Sequence, residues 1–375
     1  MKKLAVLGAS YLQLPLVEKA KELGIQIHCF AWDDGKAVCK EVADFFYDIS
    51  VLEKEAILIH CRKIGIDGIL TIATDICVPT IAYIAEKLNL TGNSVECARL
   101  TTHKGLMRNC FYENHIPSPE YMIIKSTKDE SLNKLKFPAI VKPADRSGSL
   151  GVVKVTNGTD LQEAVIQSLS VSFDKTCVVE QYIDGHEVSV ETLSWEGKHQ
   201  IITITDKVVT SEPYFVELAH HQPSQLPEDI QQRIKDISVQ VLEATKVKNG
   251  ASHIELKVNG DGDIYVIEIG SRMGGDFIGS HLVGLSTGFD YLGAVIDVAL
   301  NQYDEQFEIS DTHFSGVYFL SKNTERIMPH FQNEVSAGFK VIKKEIQDPE
   351  LKLVQSSNDR SGYLIYQATK KIDIL

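Results

Sequence analysis

The sequence predicts a mixed fold: a parallel α/β domain at the N-terminus, followed by an α+β body in two lobes. Three observations carry this reading. The first hundred residues alternate short apolar runs with helix-period segments; from about residue 117 longer strands are joined by hairpins; and one glycine- and serine-rich loop separates the two apolar runs of IVKPADRSGSLGVVKV, Ile140 to Val155. In order, the N-terminal part reads as strand KLAVLG, a helix from about Leu14 to Leu23, strand IQIHCF, a helix from Glu55 to Ile64, strand DGILTI and a helix from Pro79 to Leu88. A parallel sheet built this way binds ligands at the carboxyl ends of its strands. A nicotinamide site is not supported, because GASYLQLP offers only Gly8 where G-x-G-x-x-G is needed, and Asp33 and Asp34 then read as a solvated turn.

A helix over Thr101 to Asn114 is stopped by the prolines of HIPSPEY, which places a boundary between about residues 95 and 117. Beyond it, CVVEQYI, HEVSVETLSW and KHQIITITDK read as strands, with helices near Asp160 to Ser168 and Glu228 to Lys246. SGVYFLS is the clearest strand of the last seventy residues, which read as a small closing subdomain.

A chain of 375 residues exceeds one typical domain, and its 43% hydrophobic and 24% charged residues are ordinary for a globular protein. No apolar run approaches the roughly 18 residues that a membrane span needs, and MKKLAVLGAS flows directly into a strand and glycine turn. A net charge of -13 argues against a nucleic-acid partner, so a polyanionic ligand has to be met by local lysines and arginines. Seven cysteines without a C-x-x-C pair form neither a disulfide framework nor a zinc site, which fits a reducing cytoplasm.

Three segments carry chemistry. In the loop after Lys142, Gly148 and Gly151 permit close backbone approach and Ser147 and Ser149 add hydroxyls, so backbone N–H groups can cradle phosphates while Lys142 supplies a point charge. The plain alternative is a flexible hairpin, and no Walker loop is present. In GASHIELKVNGDGDIYVIEIGSR, a two-residue turn at Asp261-Gly262 places Glu255 opposite Glu268, with Ile254, Leu256 and Val258 meeting Tyr265, Ile267 and Ile269 on an apolar face. Like charges so placed call for a divalent cation, and oxygen ligands beside a phosphate loop suit Mg²⁺. The alternative has Lys257 and Arg272 pairing with the two acids on a solvated face. In VVEQYIDGHEVSVE, the break at Asp184-Gly185 exposes backbone groups able to read a base edge, flanked by Glu180 and Glu187; a solvated edge turn is the bland reading.

In this order the segments resemble the ATP-grasp superfamily of carboxylate–amine ligases, which includes biotin carboxylase, carbamoyl-phosphate synthetase, D-alanine–D-alanine ligase and the L-amino-acid ligases. The resemblance spans nearly the whole chain. It implies a pre-ATP-grasp domain over 1–98, a small subdomain with the phosphate loop over 99–184, a large subdomain with the metal site over 185–305 and a closing subdomain over 306–375. It implies that Lys104 of TTHKGLMR and Lys142 reach the ATP phosphates under the loop from Asp145 to Gly151, including Ser147, Gly148 and Ser149. Glu180 would take the adenine amino group, Gln181, Tyr182 and Ile183 would form the hinge, and Glu187 would hold the ribose. Glu255 and Glu268 would bind Mg²⁺, with Mn²⁺ as the alternative cation, and Arg272 would stabilise an acyl phosphate and the tetrahedral intermediate. Many members read E-x-N-x-R here; this chain reads EIGSR, with Gly270 in place of the asparagine ligand.

The implied reaction joins a small-molecule carboxylate, an amino acid by preference, to an amine and releases ADP and phosphate. The competing readings are a bicarbonate-activating carboxylase and a catalytically silent nucleotide-binding protein. In VELAHHQPSQLP, His220 or His221 either orients a substrate carboxylate or takes the amine's proton near working pH, or is simply satisfied in a loop. Homodimers are common in the resembling family.

Overall fold

The computed structural model describes residues 1–148, 150–210, 214–305, 309, 313–332 and 338–375, together with the backbone of 335 and 336. Ser149, read above as a phosphate-loop hydroxyl, lies outside the described residues.

The N-terminal domain is a parallel sheet ordered β3-β2-β1-β4, from β1 Lys3–Leu7, β2 Gln26–Ala31, β3 Phe45–Asp48 and β4 Gly68–Leu70. Its central strands are nearly continuous apolar runs because helices cover both faces. These helices are α1 Leu14–Glu22, α2 Lys54–Ile64 and α3 Val78–Leu88; α2 ends on Gly65 and α3 on Asn89, both left-handed, as helix C-termini favour. Asp33 and Asp34 form the expected turn, accepting backbone N–H bonds from Gly35 and Lys36.

The expected single helix over Thr101 to Asn114 is two: α4 Val95–Thr102 and α5 Lys104–Glu113. His103 is extended (φ -110°, ψ 104°) and its ring caps α5 by accepting the Leu106 N–H, which sets Lys104 on the first turn. The small lobe follows as an antiparallel sheet ordered β5-β8-β6-β7, from β5 Tyr121–Ile124, β6 Ala139–Pro143, β7 Val153–Val155 and β8 Cys177–Gln181, covered by α6 Gly158–Val171. Strands β6 and β7 pair, so the glycine-rich loop does bridge two partnered strands.

The large lobe is one sheet of nine described strands, ordered β13-β12-β9-β10-β11-β14-β17-β16-β15. They are β9 His186–Trp195, β10 Lys198–Val209, β11 Glu217–Gln222, β12 Gly250–Val258, β13 Ile264–Gly270, β14 Phe314–Leu320, β15 Val335–Ser336, β16 Phe339–Ile346 and β17 Gly362–Ala368. Because β14 pairs with β11, this sheet includes strands from both sides of the boundary expected at 305/306. Helix α7 Glu228–Ala244 lies against β10 and the β12–β13 core, and the short α8 Val283–Thr287 follows β13. Helix α9 Tyr291–Ala299 packs back onto the first domain: Tyr291, Val295 and Ile296 share one core with Leu4, Val6 and Leu16. The end of β4 is tied to the chain beyond β13 by a parallel bridge, Ile72 to Met273. That bridge brings Asp75 beside Arg272. No helix among the described residues is long and apolar enough to cross a membrane.

Candidate active site

The β12–β13 hairpin does set Glu255 opposite Glu268, by a route that differs from the expected one. The turn is not the two-residue Asp261-Gly262 turn. Asn259 pairs with Asp263 across three residues, with Gly262 at φ +82°. This loop shifts the register by one, and a bulge at Ile267 shifts it back. The apolar face is therefore Ile254, Leu256 and Val258 with Ile264, Val266 and Ile269, all buried. Tyr265 leaves that face, and Ile267 turns toward the same cavity as Glu268.

That cavity, of about 230 Å³, brings together Lys104, Lys142, Ser147, Gly148, Glu180, Gln181, Tyr182, Ile183, Glu187, Glu255, Glu268 and Arg272. Of the expected nucleotide residues, Gly151 does not line it. Its φ is +74°, and an added Cβ would meet Val171 at 2.8 Å, so Gly151 shapes the loop. The N–H groups of Ser147 and Gly148 bond to no other described residue, as a phosphate cradle requires. At the expected hinge, the Tyr182 N–H is already given to the Pro138 carbonyl, whereas the Ile183 N–H bonds to no described residue. Gly185 (φ +145°) lies so close to the Val258 carbonyl that any Cβ would collide at 2.1 Å.

Glu180 and Lys142 form a buried ion pair, and Arg108 Nε donates to the same carboxylate at 2.9 Å. Burial alone would raise the Glu180 pKa, but the Arg108 and Lys142 charges hold it below the usual range. Burial lowers the pKa of Lys142, with Glu180 opposing. Arg108 Nη2 also donates to the Ile267 carbonyl at 2.6 Å, so this one side chain ties the hinge strand to the bulge beside Glu268. Sequence reasoning missed Arg108; its spacing of four from Lys104 on α5 was the available signal.

The expected alternative partners of the two acids are both incorrect. Glu268 accepts from Lys104 Nζ at 2.7 Å, and Glu255 from Lys207 Nζ at 2.8 Å. Lys257 instead faces Glu187 at 3.7 Å. Lys207 is buried and also faces Glu187 at 3.1 Å and Glu217 at 3.7 Å. Burial opposes its charge, yet these three carboxylates raise its pKa well above the ordinary lysine value, and Lys207 in turn holds Glu255 well below the carboxylate range. Two oxygen-only carboxylates in register fit Mg²⁺, whose remaining ligands are water and substrate phosphates.

Arg272 is clamped by Asp75, with Nε to Oδ1 and Nη2 to Oδ2 each at 2.8 Å. A Cβ at Gly270 would stand 2.5 Å from Asp75 Oδ1, so the missing side chain at 270 is the space the Asp75 carboxylate occupies.

His220 and His221 are not in a loop: both lie on β11, inside the nine-stranded sheet, and neither lines the 230 Å³ cavity. His220 Nε2 is 3.8 Å from Asp276, whose carboxylate takes an Arg360 bond at 2.7 Å, and its Nδ1 has no hydrogen-bond partner among the described residues. Burial lowers both histidine pKa values, His221 to about 3, contrary to the expected titration near working pH. The sign follows: the unfolded chain takes up a proton near pH 6.5 that folded His221 refuses, so this residue costs stability as pH falls below about 6.5. His221 ring resonances are expected to stay unshifted from pH 8 to 5 by NMR; a midpoint near 6.5 would contradict the burial argument.

Residues 135–280 match the model of the ATP-grasp domain. Among curated relatives, the chain is 24% identical over 245 residues to the alanine–anticapsin ligase of Bacillus subtilis (strain 168), an alignment covering 59% of this chain and about half, 51%, of that protein. It is 24% identical over 261 residues to the D-alanine–D-alanine ligase of Lactococcus lactis subsp. lactis (strain IL1403), covering 64% of this chain and 71% of that one. Among solved structures, the L-amino acid ligase from Bacillus licheniformis superposes with a TM-score of 0.81 at 24% identity, covering 99% of this chain and 94% of that one. The phosphoribosylglycinamide synthetase from Anaerococcus prevotii gives 0.77 at 20% identity, covering 98% and 94%. The central lobes therefore match that domain, and the whole chain shares its fold with enzymes of this kind.

Proposed function

We propose that the protein is an ATP-dependent ligase that activates a small carboxylate, an amino acid by preference, as an acyl phosphate and couples it to an amine. The observation that supports this most is the convergence in one cavity of the hinge donor Ile183, the phosphate loop, Lys104, Lys142, the facing acids Glu255 and Glu268, and Arg272. The relatives named as amino-acid ligases support the substrate class.

A carboxylate oxygen of the substrate bonds to the γ-phosphorus as the bridging P–O bond to ADP breaks. The amine nitrogen then bonds to the acyl carbon, phosphate leaves with its electron pair, and the surplus ammonium proton passes to water. A divalent cation held by Glu255 and Glu268 would neutralise phosphate charge. Lys104 and Lys142 place fixed positive charge at the phosphates, and Arg272 offers donors to oxygens that gain charge on the reacting carbon. The loop over Ser147 and Gly148 excludes water from the acyl phosphate. Little bond-making falls to the protein, so positioning supplies most of the rate.

Product analysis with a panel of amino acids, and separately with bicarbonate, tests the reading. ADP and phosphate are expected, dependent on a carboxylate and an amine together. AMP and pyrophosphate would remove the acyl-phosphate mechanism, bicarbonate-only turnover would favour the carboxylase, and binding without turnover the silent nucleotide binder.

A further inference from the structure

Glu191, near the middle of β9, is a fully buried ionisable side chain that the reaction above leaves unused. On the sheet it stands in register with His253 of β12, which in turn faces Gly270 of β13. Neighbours in register share a face, so Glu191, His253 and the space over Gly270 form one row. Two residues along lies the row of Ser189, Glu255 and Glu268. Of the first row, His253 lines the 230 Å³ cavity and Glu191 stands behind it.

Both oxygens of Glu191 are committed. Oε1 accepts from His253 Nδ1 at 2.5 Å, and the other ring nitrogen, Nε2, is 3.4 Å from Glu255 Oε1. Oε2 accepts the Gly274 N–H at 3.0 Å. That N–H belongs to the Met273–Gly274 peptide, whose carbonyl accepts the Ala73 N–H at 3.0 Å and Arg272 Nη1 at 3.3 Å. One planar peptide unit is thus held at its N–H by Glu191 and at its oxygen by the guanidinium. A Cβ on Gly274 would stand 2.3 Å from Glu191 Oε1 and 2.7 Å from His253 Nδ1, so a side chain there would displace the carboxylate.

Among the described residues His253 is the only ion-pair partner of Glu191. Burying a carboxylate without a lysine or arginine partner is costly, and apolar residues of the same volume commonly serve stability as well or better. What the charged group does that an apolar one cannot is hold two acceptor bonds in opposite directions, one toward each side of the cavity.

We propose that Glu191 is a positioning residue for the acyl-transfer step, bracing Glu255 through the His253 ring and Arg272 through the Met273–Gly274 peptide. The proposal rests on the ligase reading above. Because both limbs start from one carboxylate, the metal side and the guanidinium side keep a fixed relation. A group that orients ligands and donors in this way acts on metal affinity and rate without touching substrate.

The test compares Glu191→Gln, which keeps the shape and removes the charge, with His253→Gln, which removes only the limb to Glu255. Mn²⁺ affinity of the ADP-bound protein, read by electron paramagnetic resonance, is expected to fall about tenfold in each. The double variant should lose little more, since both changes cut the same limb. Affinity for metal-free ADP should stay within about twofold. With Mg-ATP and a carboxylate–amine pair that the unaltered protein uses, kcat should fall about ten- to a hundredfold in Glu191→Gln and less in His253→Gln, which keeps the Gly274 bond. A melting temperature that drops while Mn²⁺ affinity and the kcat of folded protein hold makes Glu191 structural and overturns the proposal, as do additive losses in the double variant. If Glu191→Gln does not fold, His253→Gln and Gly274→Ala, which crowds the same carboxylate, decide: unchanged Mn²⁺ affinity in the first, or unchanged kcat in the second, overturns it. Weaker Mn²⁺ binding in both glutamine variants, with no turnover of any pair by the unaltered protein, keeps the brace on Glu255 and removes the ligase reading. Turnover that both variants retain in full keeps the ligase reading and removes the brace.

Discussion

Glu255→Gln and Glu268→Gln are each expected to lower turnover about a hundredfold or more at saturating Mg-ATP, roughly 3 kcal/mol of lost transition-state stabilisation. The two should differ in stability. Glu255 is one of three carboxylates around buried Lys207, so its replacement leaves that ammonium facing Glu187 and Glu217, and the melting temperature should move little. Among the described residues Glu268 is the only carboxylate on Lys104, which is 7% exposed and otherwise bonds to the Arg146 carbonyl. Its loss leaves a nearly buried ammonium with weaker acceptors and should cost about 1 kcal/mol. Neither variant should gain stability without Mg²⁺. A gain would be expected from facing acids relieved of repulsion, but each acid here already has its own lysine. Melting temperature without Mg²⁺, measured beside turnover of the folded protein, decides the matter. Lower stability with turnover intact would make the acids structural and remove the metal assignment.

Counting outward from an assumed two-residue turn gives the right partners because a longer turn and a bulge at Ile267 shift the register in opposite directions. The pairing is therefore legible in the sequence but the apolar face is not: alternation puts Tyr265 and Ile267 in the core, and the bulge takes both away. Strands β1, β2 and β4 of the parallel sheet are legible because they are buried, so each is a short apolar run between helices, whereas the edge strand β3, Phe45–Asp48, is largely exposed and gives no such run. Strand β11 was hidden because Glu217–Gln222 carries two histidines at its buried centre and a proline directly after it. The partners that set the site's charge were hidden for a different reason. Lys207, Asp75 and Arg360 are single charges on separate elements, and only the packing of distant segments brings them to their partners. No spacing rule acts over such separations.

Gly270→Asn, which restores the asparagine of E-x-N-x-R, is expected to damage the enzyme. Gly270 has an ordinary negative-side backbone, so strain at φ is not the reason. The reason is space: the new Cβ would stand 2.5 Å from Asp75 Oδ1 and 3.2 Å from Arg272 Nε. An exposed carboxylate would swing aside at little cost. Asp75 is held by two hydrogen bonds at 2.8 Å to Arg272, and both side chains are only 14% exposed. Making room therefore breaks a nearly buried, two-point ion pair and frees the guanidinium proposed to meet the developing charge. A loss of about ten- to a hundredfold in kcat/KM is expected, roughly 1.4 to 3 kcal/mol. Gly270→Ala carries the same Cβ without the amide and should lose nearly as much, which separates crowding from chemistry. Asp75→Gly alone should also lose activity, since Arg272 is left unpaired, but adding it to Gly270→Asn should cost less than the two single losses combined, because both act on one ion pair. Metal affinity, measured by Mn²⁺ titration, and kcat/KM for all four proteins are the readouts. If Gly270→Asn instead tightens metal binding and raises turnover, the motif's asparagine outweighs the Asp75–Arg272 pair, and that pair has no part in the reaction.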